Sequence, residues 1–164
     1  MKQNATLDSS FWINAHRSGL LPNVLELFAI HYAPAVALEL RETFPSGREF
    51  WRLAQEGQVT EAVPKLEVFR SFGPGERGAI NLALEHRDWT LLMDDRTPFV
   101  ESVRLGLKAL CTPVLVAQLF VEGALDAPTA LEALARLAAM QTLSPDLLAL
   151  ALAQIGKARK EKGE

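Results

Sequence analysis

Apolar and polar residues change their spacing along the chain, and the change predicts strands that alternate with helices. Short apolar runs typical of buried strands are separated by segments in which apolar residues recur every three to four positions. Such alternation is typical of βα units that build a parallel sheet with helices on both faces. The predicted strands cover residues 5–7, 29–33, 59–63, 89–93 and 107–111.

Capping residues and prolines predict where the helices begin. Ser9 and Ser10 are good caps for the first helix, and Thr97 precedes a proline that would open another. Asp126 and Ser144 are expected to cap the last two helices, because the pattern beyond residue 123 is purely helical. We therefore predict a single domain over residues 1–164, with an α/β core over about 1–123 and a helical C-terminal extension over about 124–160.

Composition narrows the class of protein without identifying it. The chain has 164 residues, of which 49% are hydrophobic and 23% are charged, as expected for one globular domain with its own core. Cys111 is the single cysteine, so no intrachain disulfide can form, and a reducing, cytoplasmic setting is expected. The N-terminal segment does not have the pattern of a signal peptide, and no apolar run is long enough to cross a bilayer. The net charge of −3 means that any nucleic acid would have to meet a local basic patch.

Five acidic residues stand where the predicted elements meet. Asp8 follows the first strand, and Asp94 with Asp95 follows the fourth. Glu39 and Glu76 each lie near the first turn of a helix, where backbone N–H groups favour a carboxylate. Because ligands of parallel sheets bind outside the carboxyl ends of the strands, these acids could meet at that edge. Such a group repels itself unless a cation lies among its members, and oxygen ligands suit Mg²⁺ or Mn²⁺ better than zinc.

Each acid also has a simpler explanation. Asp8 could cap the helix that follows it, Glu76 could be a favourable first-turn acid, and Glu39 could be a solvated helix residue. Asp94 and Asp95 are harder to explain in this way, because two adjacent acids after a buried strand are costly unless they are solvated or bind a ligand. Taken singly, the acids leave both readings open.

The chain also carries an ordered set of short motifs: Asp8-Ser9-Ser10, Ala33-Pro34-Ala35-Val36 leading to Glu39-Leu40, Gly73-Pro74-Gly75-Glu76, Leu91-Leu92-Met93-Asp94-Asp95-Arg96, Leu105-Gly106-Leu107 and Leu143-Ser144-Pro145-Asp146-Leu147-Leu148. This set resembles one branch of the PIN-domain ribonuclease family, the VapC-like toxins with a Gly-Pro-Gly-Glu motif and a helical C-terminal extension. The resemblance implies a three-layer α/β/α fold and hydrolysis of RNA with Mg²⁺ or Mn²⁺. Many bacterial relatives are toxins that a small antitoxin protein neutralises, and many are homodimers, so both kinds of partner are expected.

The resemblance further implies roles for the acids and for three other polar residues. Catalytic roles fall on Asp8, Glu39, Glu76 and Asp94, and metal ligation falls on Asp8, Glu76, Asp94 and Asp95. Ser10 is expected to support the site through a hydrogen bond to a metal-bound water or a ligand carboxylate, although a helix cap explains it equally well. Arg77 and Arg96 are candidate contacts for RNA, and a solvated surface explains them about as well.

Two stretches depart from the pattern of that branch. Thr97-Pro98-Phe99 stands where relatives often carry an Ala-Arg pair, and Cys111-Thr112-Pro113-Val114 stands where Gly-Thr and a second glycine are usual. These departures motivate a competing hypothesis, in which the chain is a catalytically weak or inactive relative that acts as a binding or regulatory module. A phosphoryl-transfer domain with Asp8 as its nucleophile is disfavoured, because Ser10 occupies the place of the second acid that such a domain needs.

Overall fold

The apolar runs form the five strands of one sheet in the computed structural model, which describes residues 1–141 and 143–163. The strands are β1 (Gln3–Leu7), β2 (Phe28–Tyr32), β3 (Val59–Glu61), β4 (Thr90–Leu92) and β5 (Lys108–Leu110). They lie in the order β3-β2-β1-β4-β5, and each neighbouring pair is parallel. The predicted α/β class with a central parallel sheet is confirmed.

Helices connect the strands and continue to the C-terminus. In the described residues they are α1 (Ser9–Arg17), α2 (Leu21–Leu27), α3 (Pro34–Glu39), α4 (Pro45–Gln55), α5 (Pro74–Glu85), α6 (Arg96–Arg104), α7 (Thr112–Val121), α8 (Ala127–Ala139) and α9 (Pro145–Lys162). None of them is long and apolar enough to span a bilayer.

Helices cover both faces of the sheet, which gives the three layers expected. Successive residues of a strand point to opposite faces. Leu91 of β4 accordingly packs in a cluster with Ala79 and Ile80 of α5, whereas Leu92 packs in a larger cluster with residues of α1 and α7. Both strand residues are fully buried, as is normal for a parallel sheet with helices on each side.

The two C-terminal helices share the larger of these clusters. Leu134 and Leu137 of α8 and Ile155 of α9 belong to the same buried core as the sheet residues of β1. Because one hydrophobic core then serves both the sheet and the helical tail, we propose that residues 1–164 form a single domain.

Two helices lack the serine and threonine caps predicted for them, and one of the two follows the alternative in which Asp8 is the cap. The side chain of Asp8, rather than either serine that follows it, caps α1 and accepts the Phe11 N–H at 2.9 Å. Asp95, rather than Thr97, caps α6 and accepts the Thr97 N–H at 3.2 Å. In both cases the acid stands directly before the first helical turn, so its side chain reaches the free N–H groups there.

Pairing between β1 and β4 determines where the acids lie. Leu7 pairs with Leu92, and the Asp8 N–H donates to the Leu92 carbonyl at 3.1 Å. The chain therefore leaves both strands side by side, which places Asp8 next to the segment that carries Asp94.

Candidate functional site

Asp8 is a buried acid with one oxygen that lacks a partner. Its residue is 1% exposed, and while Oδ1 caps α1, Oδ2 accepts no hydrogen bond from residues 1–141 or 143–163. Burial raises the pKa of Asp8 well above its ordinary value, and the negative charge of Asp94 raises it further. Glu76 and Asp95 add smaller increments to that pKa, against the opposing hydrogen bond from Phe11. Asp8 therefore lies within electrostatic reach of three other carboxylates.

Asp94 is equally buried, but both of its oxygens have partners. Oδ1 accepts the Thr112 N–H at 2.7 Å, and Oδ2 accepts the Asn14 amide at 2.7 Å and the Thr112 hydroxyl at 2.8 Å. Burial raises the pKa of Asp94, and these hydrogen bonds oppose that rise. Contacts from α1 and α7 thus fix the orientation of the carboxylate. A carboxylate offers about four acceptor positions, so Oδ1 keeps one free for a further ligand.

Glu76 and Asp95 form the more exposed side of the acid cluster. Glu76 is the third residue of α5, and its Oε2 accepts the Gly73 N–H at 3.2 Å. Burial raises the pKa of Glu76 most, and the charge of Asp95 raises it next. A hydrogen bond with Asp95 and the charge of Glu39 raise it further. The nearby negative charge of Asp95 therefore favours the protonated form of Glu76.

Glu39 lies at the border of the cluster and is held from two sides. Its Oε1 accepts the Gly75 N–H at 3.0 Å at the N-terminus of α5, and its Oε2 accepts the Ser9 hydroxyl. A side chain at Gly75 would collide with this carboxylate, because a Cβ atom there would lie 2.5 Å from Oε2. The missing side chain at position 75 is thus what lets α3 present Glu39 to α5.

The remaining predicted site residues are Ser10, Arg96 and Arg77. Ser10 is exposed and makes no side-chain hydrogen bond within the described ranges, so the serine that contacts a carboxylate is its neighbour Ser9. Arg96 forms an exposed ion pair with Asp146 of α9 at 3.1 Å. Arg77 is half-buried near the start of α5, one residue after Glu76. The contribution of each arginine to RNA binding stays a prediction.

Sequence reasoning missed the side chains that hold the acids. Asn14 and Thr112 contact Asp94, while Ser9 and Gly75 contact Glu39. One signal was present: Asn14 falls on the apolar face of α1, three positions after Phe11, where a polar residue needs a buried partner.

The donor set fits a divalent cation, although its members are not yet in ligand geometry. Among residues 1–141 and 143–163, no three Asp, Glu, His or Cys side chains are already arranged to hold a metal ion. However, a buried carboxylate oxygen without a donor, next to a second buried carboxylate, is costly unless positive charge compensates it. The free Oδ2 of Asp8 is therefore the observation that matches Mg²⁺ or Mn²⁺, both of which prefer oxygen ligands.

Comparison with known proteins identifies one family. Residues 5–157 match the family DUF3368, which is described as a PIN domain. None of the curated protein sequences compared with the chain is significantly similar to it. Among solved structures, the PIN domain endonuclease Utp24 is similar, with a TM-score of 0.49 and 13% identity over 66% of this chain and 84% of that one. A similarity this distant carries no argument about activity.

Proposed function

The chain belongs to the PIN-domain family, and from this premise we propose that it is a metal-dependent endoribonuclease that hydrolyses RNA phosphodiester bonds in the cytoplasm. Membership of the family supports a nuclease activity in general. The metal requirement is supported by the free Oδ2 of Asp8 and by the electrostatic coupling of that residue to Asp94, Glu76 and Asp95.

Two of the acids are buried and held in place by hydrogen bonds, and the other two are more exposed. A bound Mg²⁺ or Mn²⁺ would bind a phosphate oxygen, lower the pKa of the attacking water and stabilise the leaving oxygen. Asp8 and Asp94 are buried and held by hydrogen bonds, so they would anchor such an ion in one position. Burial and the charge of Asp95 raise the pKa of Glu76, and a cation nearby would oppose that rise, so uptake of the ion should favour release of a proton that Glu76 holds.

The test is cleavage of a labelled single-stranded RNA by the full chain, with Mg²⁺ or Mn²⁺ and with EDTA. Asp8→Asn should abolish metal-dependent cleavage, and so should Asp94→Asn if that variant folds. Asp126→Asn is the matched control, because Asp126 caps α8 as Asp8 caps α1 but is exposed. Equal cleavage rates for wild type and Asp8→Asn, or full activity in EDTA, would contradict the proposal.

We also propose that the nuclease is the toxin of a toxin–antitoxin pair and acts as a homodimer. This rests on the sequence resemblance to VapC-like toxins. Induced expression of the wild-type chain should arrest growth of a bacterial host, and Asp8→Asn should not. Light scattering behind a sizing column measures the mass of the particle. Unaffected growth at a matched protein level would exclude the toxin role, and a monomer at micromolar concentration would exclude the dimer.

The competing function is a binding or regulatory module without catalysis. It is favoured by the three hydrogen bonds that already occupy the Asp94 carboxylate and by the two departures from the motif pattern. One departure leaves the site contacts in place, because Thr112 still donates twice to Asp94. The same assay separates the two functions, since a module would bind RNA or a protein with no cleavage in any metal.

A further inference from the structure

A cleft of about 720 Å³ opens beside the acid cluster. Its walls are the C-terminal half of α1 and the segment that joins α3 to α4, with lining residues that include Ile13, His16, Arg17, Glu39, Arg41 and Phe44. The volume lies within the range of pockets that hold small ligands, about 300–1,000 Å³. Glu39 belongs both to this wall and to the electrostatic surroundings of Glu76, so the cleft borders the site of the acids at Glu39.

The outer wall of the cleft is held rigidly by side chains from the helices beneath it. The indole N–H of Trp51 donates to the Leu40 carbonyl at 2.8 Å, and that of Trp12 donates to the Ser46 carbonyl at 2.9 Å. Between these two anchors, the Arg48 guanidinium donates to the carbonyls of residues 42 and 43 at 3.3 and 3.2 Å. The segment 40–46 therefore keeps one conformation although it has no regular secondary structure over most of its length.

Phe44 is the exposed aromatic residue on this rigid segment. It is 61% exposed, while Trp12 and Phe50, whose rings contact each other in the core, are fully buried. An aromatic ring that stays in water does not contribute to the stability of the fold, because the hydrophobic effect favours its burial. Such a ring is the feature that nucleic-acid-binding proteins use to stack an unpaired base.

The charges on the cleft favour a polyanion. Arg17 and Arg41 are exposed and form no ion pair with any residue of the described ranges, whereas Arg52, for example, binds Glu49 at 2.7 Å. Two unpaired guanidinium groups against one lining carboxylate, Glu39, give the cleft a local excess of positive charge on a chain of net charge −3. An apolar peptide would use Phe44 but would leave both arginines without partners.

We propose that this cleft binds a nucleotide of the single-stranded RNA next to the cleaved phosphodiester, with its base on Phe44 and its phosphates at Arg17 and Arg41. The proposal rests on the nuclease function proposed above and adds a site that determines how the substrate is positioned. Because Phe44 is a sequence-tolerant platform, the cleft should require an unpaired base rather than a particular one.

Binding can be measured apart from cleavage, by fluorescence anisotropy of a labelled oligouridine RNA with the full chain in EDTA. Phe44→Ala should weaken binding by about 5- to 150-fold, the effect typical of one stacked base. Phe44→Trp should keep the affinity, whereas Phe44→Leu, which stays apolar but cannot stack, should lose it like alanine. Arg17→Ala and Arg41→Ala should each lower the slope of log affinity against log salt by about 0.7. Arg104→Ala and Leu150→Ala are exposed control variants that should bind as wild type does.

A second measurement does not depend on variants. RNA that contains 4-thiouridine, photocrosslinked to the wild-type chain, should give an adduct on the peptide that contains residues 41–46. Adducts confined to other peptides would overturn the proposal, as would an affinity that none of the Phe44 or arginine changes alters.

Cleavage of the same RNA in Mn²⁺ keeps the two proposals distinguishable. If the wild type cleaves RNA and the cleft variants bind and cleave equally well, the cleft proposal fails and the nuclease stands. If the cleft variants lose binding but no variant or wild type cleaves, the nuclease proposal fails and the binding site stands. A wild-type chain that does not bind RNA overturns the cleft proposal.

Discussion

Asp8→Asn keeps the shape of the side chain and removes its negative charge. The asparagine oxygen can still accept the Phe11 N–H and cap α1, since aspartate and asparagine are about equally good caps. Its amide N–H₂ takes the place of Oδ2, the oxygen without a donor, and faces the surrounding carboxylates with hydrogens instead of a lone pair. In the absence of metal, the substitution therefore relieves repulsion without altering the packing.

The size of the effect follows from burial. A buried acceptor that has no partner costs about 1–3 kcal/mol. We expect metal-free Asp8→Asn to be more stable than wild type by that amount at neutral pH, or about 2–12 °C in Tm for a domain of this size. Because the folded-state pKa of Asp8 is raised, its contribution favours folding below the ordinary value of 3.8 and is lost as the pH rises through the folded value. The stability gain of the variant should accordingly disappear in acid.

Thermal unfolding, monitored by circular dichroism in EDTA and then with added Mn²⁺, tests both the destabilising charge of Asp8 and its role in binding the ion. Wild type should gain Tm when Mn²⁺ is added, because the ion binds the folded state alone. Asp8→Asn should begin at a higher Tm and respond little to the ion. In the control variant Asp126→Asn, neither the EDTA value nor the Mn²⁺ response should change, because that cap is exposed.

Two results would refute this reasoning. One is a native-like Asp8→Asn protein that melts below wild type in EDTA at neutral pH, because the charge would then be stabilising where it lies. The other is a Mn²⁺ response of the variant equal to that of wild type, because Asp8 would then not hold the ion.

Three other substitutions test the packing around the site. Gly75→Ala should displace the Glu39 carboxylate and lower RNA cleavage. The Tm should stay within a few degrees of wild type, because alanine stabilises a helix by about 0.5–1 kcal/mol relative to glycine. Unchanged cleavage would show that Glu39 has no part in the mechanism. Gly78→Ala brings a Cβ atom 2.6 Å from the Ala33 Cβ, and neither atom can rotate away, so urea unfolding should show a loss of about 1–3 kcal/mol. A stability equal to that of Gly75→Ala would contradict this rigidity. Thr112→Val removes the hydroxyl that donates to Asp94 but keeps the N–H, so the pKa of Asp94 should rise. The acidic limb of the pH profile of cleavage should then shift to higher pH, and the control Thr112→Ser should not show this shift.

The sequence predicted the strands from short apolar runs, and each of the five runs overlaps a strand. The run is continuous where the strand is buried at every position, as in β4, whereas the edge strands β3 and β5 carry exposed polar residues. Their ends were predicted less well. Met93 and Cys111 extend the apolar runs and are fully buried, yet both lie outside the strands. Burial sets the apolar pattern, whereas pairing in the ladder sets the strand, and the two stop at different residues.

The meeting of the acids was predictable, but their supports were not. Parallel strands bring their carboxyl ends to one edge, so position along the chain was enough to expect Asp8 near Asp94. The choice between Ser9 and Ser10 depended on the phase of α1, because adjacent helical residues point about 100° apart. Without the packing of α1 against α3, no local pattern could tell which hydroxyl reaches Glu39.

The central place of β1 in the sheet has a consequence for biosynthesis. The strand can pair early with β2, but its other neighbour, β4, is synthesised much later. Asn14 and its hydrogen-bond partner Asp94 are 80 positions apart in the sequence. At typical elongation rates of about 5–20 residues per second, that interval lasts roughly 4–16 seconds on the ribosome. Until Thr112 has emerged, a nascent chain lacks the two hydrogen bonds that Thr112 donates to the Asp94 carboxylate. Products that terminate before Thr112 thus lack both of these hydrogen bonds at the acidic centre.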